Sequence, residues 1–167
     1  MKKTAVIVIC ISVILILAIG IALLLINSKQ YTDEFSSEEL YLKVENSFST
    51  DGDVIIVDDD VILEFVEDEI PSYLRDYTVI KANNAKNINE IGIFKVEDGK
   101  ASDMKEIVES YVSNLQGQYR NMQYFPEEVE KIDCATVKVF GNYVVYSFLN
   151  EADTEAFYDA IKDTLTK

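Results

Sequence analysis

Residues 135–149 read ATVKVFGNYVVYSFL: two runs rich in β-branched and aromatic residues on either side of Gly141-Asn142. A two-residue loop with glycine first is the chemistry of a type II′ hairpin turn, because its first central position needs a positive φ. This stretch therefore predicts two antiparallel strands. Upstream, TVIKA (78–82) and EIGIFKV (90–96) flank the Asn- and Lys-rich NNAKNIN and close on Asp98-Gly99, which predicts a second hairpin. After it, Met104, Ile107, Val108, Tyr111, Val112, Leu115 and Tyr119 fall on one helical stripe. Asp103 and Glu106 are placed to cap its start, and Gly117 weakens its last turn. The connection RNMQYFPEEVEKID (120–133) has room for one short helix opening at Pro126. Downstream, Ala156, Phe157, Ala160, Ile161 and Leu165 form an amphipathic helix that Asp153 would cap. Strand-strand-helix thus occurs twice, and the expected fold is α+β, a mainly antiparallel sheet with helices on one face.

Before this best-defined part, residues 77–166, Ser36 and Glu39 make a capping box for a helix through about Phe48, with Leu40, Val44 and Phe48 on one side. Thr50-Asp51-Gly52-Asp53 reads as a turn, Val54 to Val57 as a short buried strand, and Asp58 to Asp60 as a break ahead of VILEFV. The domain is expected over 36–167, preceded by a polar linker, 27–35.

The N-terminal segment 1–26 is of another kind. Thr4 to Ile26, TAVIVICISVILILAIGIALLLI, holds no charge over 23 residues. At ~1.5 Å per residue it would span roughly 34 Å as a helix, enough for the hydrocarbon core. The run is longer than the ~7–15 residues of a signal-peptide core and ends in Asn27-Ser28-Lys29, which favours a retained anchor over a cleaved signal. Ile9 before Cys10 defeats a lipoprotein signal. Lys2 and Lys3 favour a cytoplasmic N-terminus, so the domain is expected outside the cytoplasm on a single-pass cell-membrane protein. No Gly-xxx-Gly seam argues for helix association.

The chain carries 30 acidic and 15 basic residues, a net charge of -15. Two of the basic residues, Lys2 and Lys3, precede the apolar run, so the remainder carries about -17. A field of that sign repels phosphate backbones and anionic headgroups, which argues against nucleic acid as a partner; cations or basic partners are the compatible ligands, and the favoured reading of the charge is that it keeps the domain soluble. There is no histidine, and Cys134 is the sole cysteine after the apolar run. The commonest general base and metal ligand is thus missing, and no disulfide closes within the domain.

EIGIFKVEDGK leading into the long helix, the GNYVVYSF strand and the closing acidic helix together resemble a family of bacterial extracytoplasmic domains of unknown function. Its members are found mostly in clostridia and relatives, often in chains assigned as lipoproteins or anchored proteins. The resemblance covers roughly Asp59 to Leu165 and implies location and fold. It transfers no active site, and the spanning segment stands here where the lipid attachment would be.

Catalytic constellations are thin. The histidine that usually activates a serine or cysteine nucleophile is missing, and neither a G-x-S-x-G motif nor a phosphate-binding glycine loop occurs, so no cofactor is expected. The sharpest polar feature is DGDVIIVDDD, where Asp51, Asp53, Asp58, Asp59 and Asp60 offer the oxygen ligands that calcium prefers. Gly52 falls in the wrong place for an EF-hand, and turn and cap chemistry on a solvated surface is the favoured explanation of the run. Tyr111, Tyr119, Tyr124 and Phe125 offer either a groove or core packing, and the helical spacing of the first two favours the core. The expectation is a membrane-anchored, non-enzymatic interaction or accessory module that meets an envelope protein or cell-wall partner. A calcium- or wall-polymer-binding domain and a carboxylate-dependent hydrolase are the alternatives.

Overall fold

The computed structural model describes residues 31–57, 71–122 and 128–167. The apolar run 4–26 and Asp58–Asp60 lie outside the described residues, and among those described no helix is long and apolar enough to cross a membrane. The elements in chain order are α1 (Ser37–Val44, continued by a 3-10 turn Glu45–Ser47), β1 (Val54–Ile56), β2 (Leu74–Ala82), β3 (Glu90–Val96), α2 (Ala101–Met122), α3 (Val129–Cys134), β4 (Thr136–Phe140), β5 (Tyr143–Phe148) and α4 (Glu151–Leu165). Five strands form one antiparallel sheet in the order β1-β2-β3-β5-β4.

The expected hairpins form. Phe140 pairs with Tyr143 across the Gly141-Asn142 turn, where Gly141 has φ 60°. Glu90 to Lys95 pair with Phe148 to Tyr143, which joins the two hairpins through their inner strands. The capping box at α1 is also present, with Ser36 accepting from the Glu39 amide at 3.1 Å and Glu39 accepting from the Ser36 amide at 2.8 Å. Two expected caps are replaced. The Lys100 carbonyl accepts from the Met104 amide, so α2 begins ahead of Asp103, which lies in its first turn. Asn150 rather than Asp153 caps α4, accepting from the Asp153 amide at 2.9 Å. In both cases the residue singled out stands in the first turn, where its charge suits the helix dipole equally well.

The expectation of helices on one face is corrected. Every residue of β3 and β5 is buried, so both faces of the inner strands need cover. Phe94, Val96, Val144, Tyr146 and Phe148 pack with Met104, Val108, Tyr111 and Val112 of α2 and Ile132 of α3. Alternate residues Ile91, Ile93, Tyr143 and Val145 pack on the opposite face with Leu40 and Val44 of α1 and with Phe157, Ile161 and Leu165 of α4. The sheet is the middle of three layers. The second correction concerns β1, which is an outer strand with Ile55 and Ile56 exposed at 46% and 53% instead of a buried one.

Tyr31 to Phe35, polar enough to read as linker, are bound to the fold. Tyr31 bridges to Thr166, the Thr32 amide donates to the Leu165 carbonyl at 2.7 Å, and the Tyr31 ring meets Phe140 edge-on at 5.8 Å. Lys95, a β3 residue with its side chain 10% exposed, donates to the Asp33 and Phe35 carbonyls at 2.8 Å each, and the Tyr143 hydroxyl donates to the Phe35 carbonyl at 2.6 Å. The strap satisfies a buried ammonium and a buried phenol that would otherwise be costly.

Gly92 sits opposite Tyr146, and a Cβ on it would run into the Tyr146 ring. Gly92→Ala is therefore expected to cost about 1–3 kcal/mol through overpacking, read as a lowered urea midpoint. An unchanged midpoint would show that the ring can move aside.

Candidate functional site

β3 opens with Glu90, whose side chain lies under α2 at 3% exposure. Its Oε1 accepts from the Tyr111 hydroxyl at 2.7 Å and from the Tyr146 hydroxyl at 2.5 Å, and its Oε2 lies 3.3 Å from Nζ of Lys81. Lys81 is the residue directly opposite Glu90 on β2, Tyr111 comes from α2, and Tyr146 reaches across the missing side chain of Gly92. One carboxylate thus ties three strands and a helix together. Burial first, and then the Glu90 charge, push the Tyr146 phenol well above its ordinary value, so it stays a donor. Both carboxylate oxygens are engaged within the protein. Proton transfer to an outside group would first have to break these bonds.

A second polar cluster lies at the same end of the sheet. Glu128 Oε2 accepts from the Ile88 amide at 3.1 Å and from Lys131 Nζ at 2.8 Å, and the same ammonium stands 3.3 Å from Asn87 Oδ1 and 3.5 Å from Asp51 Oδ2. Asp51, one of the five aspartates of the calcium reading, therefore faces a lysine that supplies the positive charge a bound cation would bring. Asp53 is exposed, and its carbonyl accepts from the Asn83 amide at 2.9 Å. Asp58, Asp59 and Asp60 lie outside the described residues, as do Tyr124 and Phe125. Among the described residues, no group of three or more His, Cys, Asp and Glu side chains could hold a metal ion. Tyr111 and Tyr119 belong to the core on the α2 face.

The hydroxyls of Ser147 and Tyr158 are also turned inward. Ser147 Oγ, fully buried beneath α4, lies 3.4 Å from both the Tyr158 and the Thr154 hydroxyl oxygens, with one proton to give to either, and the Tyr158 hydroxyl donates to the Thr136 carbonyl at 2.5 Å. Among the described residues, the hydrogen-bond partners of that set are hydroxyls and backbone carbonyls. Burial first, then Glu151, Glu130 and Asp133, raise the Cys134 thiol above its ordinary value, the opposite of what a nucleophile requires.

The remaining feature is the outer edge of β1. The Asn83 amide donates to the Asp53 carbonyl and the Val57 amide to the Val79 carbonyl. Asp53, Ile55 and Val57 therefore turn their backbone groups toward β2, and Val54 and Ile56 turn theirs outward. β4, the other edge, carries Lys138 at its centre, a charge that discourages strand addition. Among the described residues no strand pairs with the outer side of β1, and its three residues carry no charge.

Residues 71–149 match the family model described as a domain of unknown function, DUF4358. The match takes in Lys81, Glu90, Gly92, Tyr111, Lys131 and Tyr146, and leaves α1, β1 and α4 outside it. No curated protein and no solved structure matches the chain.

The sequence reading missed Glu90 and Lys131. The available signal was an acidic residue two before a glycine at the head of an otherwise apolar strand, with a tyrosine in the strand that pairs with it. Tyr146→Phe removes one charge-assisted bond and is expected to cost about 1.5–3 kcal/mol by chemical denaturation. The phenols of Tyr143, Tyr146 and Tyr158 are all raised above 10.0, burial being the first cause in each. The folded chain keeps protons that the unfolded chain releases as pH passes about 10, so this stabilisation is complete below that pH and is lost as pH rises above it. Denaturation midpoints taken upward from neutral pH should fall beyond about pH 10, and less steeply for Tyr146→Phe. A flat profile would refute the assignment.

Proposed function

We propose that this protein is a single-pass, membrane-anchored module of the cell envelope, its domain held outside the cytoplasm, and that it works by binding an extended segment of a partner along the open edge of β1. The carrying observation is that edge: the outward backbone groups of Val54 and Ile56, with the exposed side chains of Ile55 and Ile56 beside them. Strand addition supplies affinity through main-chain hydrogen bonds and specificity through the alternating side chains. The charge selects the partner. Asp53 is exposed next to the edge on a chain of net charge -15, so the fitting segment has an apolar centre flanked by Lys or Arg. A second copy of this chain is a poor occupant, since it would bring its own aspartates to the same place.

The uncharged run 4–26 and the flanking Lys2 and Lys3 support the anchor and its orientation. The resemblance of EIGIFKVEDGK and GNYVVYSF to bacterial envelope domains supports the location. The inward use of Glu90 and Ser147 favours a binding role over catalysis.

The test uses the full-length chain at native expression with a photocrosslinking residue at Ile55. Ile56→Pro removes an outward amide while leaving the bonds to β2, and Val139→Pro is the control on the other edge. Capture of a segment with basic flanks, reduced about tenfold or more by Ile56→Pro and kept by Val139→Pro, is the expected result. Capture indifferent to Ile56→Pro, or of an acidic segment, would sink the reading.

A further inference from the structure

Resting on the anchor reading above, we infer that the end of the domain formed by Tyr31, the Gly141-Asn142 turn and Thr166-Lys167 faces the lipid headgroups, and that the end carrying the Asn83–Asn89 turn points away from them. The fold is bound from Tyr31 onward by its bridge to Thr166 and by the Lys95 and Tyr143 bonds to the strap. The apolar run ends at Ile26, so only Asn27, Ser28, Lys29 and Gln30 lie between it and Tyr31. Five Cα steps from Ile26 to Tyr31 reach at most about 18 Å. The headgroup layer takes up roughly 6 Å of that.

The sheet measures the other distance. Tyr31 lies against Gly141, where a Cβ added to the glycine would come 3.1 Å from its Cβ. From Gly141 along β5 to Phe148 is seven steps, about 24 Å at the rise of an antiparallel strand. Phe148 pairs with Glu90, and the Asn83–Asn89 turn extends from that end. Bringing this turn to the headgroups would lift Tyr31 farther from the bilayer than its tether reaches. The orientation comes from the tether and not from adsorption, because a domain carrying about -17 is repelled by anionic headgroups.

The experiment reconstitutes the full-length chain in vesicles of phosphatidylcholine and phosphatidylglycerol containing a headgroup-labelled quencher lipid. In a Cys10→Ala, Cys134→Ser background, a fluorophore is placed at Asn142→Cys or Asn84→Cys. Lys167→Cys is the second near-side probe, since Asn142 also donates to Asp98 at 2.5 Å. Quenching several-fold stronger at 142 and 167 than at 84 is expected. Insertion of about ten Gly/Ser residues between Gln30 and Tyr31 should erase the contrast. Equal or reversed quenching in a chain that resists alkaline extraction overturns the orientation alone, as does a contrast that survives the insertion. Release of the chain by alkaline extraction overturns the anchor reading, and the orientation with it.

Discussion

Tyr146 lies across the space that a side chain at Gly92 would fill, and from there its hydroxyl reaches Glu90 at 2.5 Å. This close approach holds only in one register of β3 against β5, since a slip of one residue would put the apolar Ile91 or Ile93 where the glycine must be. The two central strands are fixed by it. The same carboxylate engages Lys81 on β2 and Tyr111 on α2, so β2 and the long helix are placed by the interaction that sets the register. A buried ion pair is seldom worth more than apolar packing of the same volume. What the network supplies is geometry, because its donors are few and directional.

Once β3 and β5 are fixed, the alternation of their side chains requires two separate covers. α2 and α3 supply one, and α1 with α4 the other. The second cover is built from segments far apart in the chain and is closed by the strap. Lys95 and Tyr143 come from the inner strands and both bond to the carbonyl of Phe35. The three-layer arrangement therefore also sets where the chain leaves the domain. The residues matched by the family model contain the Glu90 network but neither α1 nor α4, so the part that fixes register and the part that covers its second face are distinct stretches of sequence.

Local chemistry was legible where it is local. The II′ turn at Gly141, the capping box at Ser36 and the apolar stripe of α2 each depend on residues within a turn or two of one another, and each is present. The layer count was less so. EIGIFKV and YVVYSF read as strands, and it is their unbroken apolar character, not the order of elements, that signals burial on both faces. The aspartate run drew attention by composition, whereas Asp51 is paired with Lys131, a residue 80 positions away that only the fold brings near. Glu90 was hidden for the same reason. A single acidic residue in a strand carries no signal until the phenols that satisfy it are known to converge.

The position of β1 joins these points into one functional argument. Val54 pairs with Ala82 and Ile56 with Ile80, so the strand lies toward the same end of the sheet as the Asn83–Asn89 turn. That is the end opposite the strap. A domain tethered through Tyr31 would hold its open edge away from the bilayer, on the side a partner in the envelope can approach. An edge placed beside Tyr31 would instead compete with the headgroups for access. Under the proposed anchor, a short tether and a binding edge would be compatible because Tyr31 and β1 lie toward opposite ends of the central strands, with the length of β5 between them.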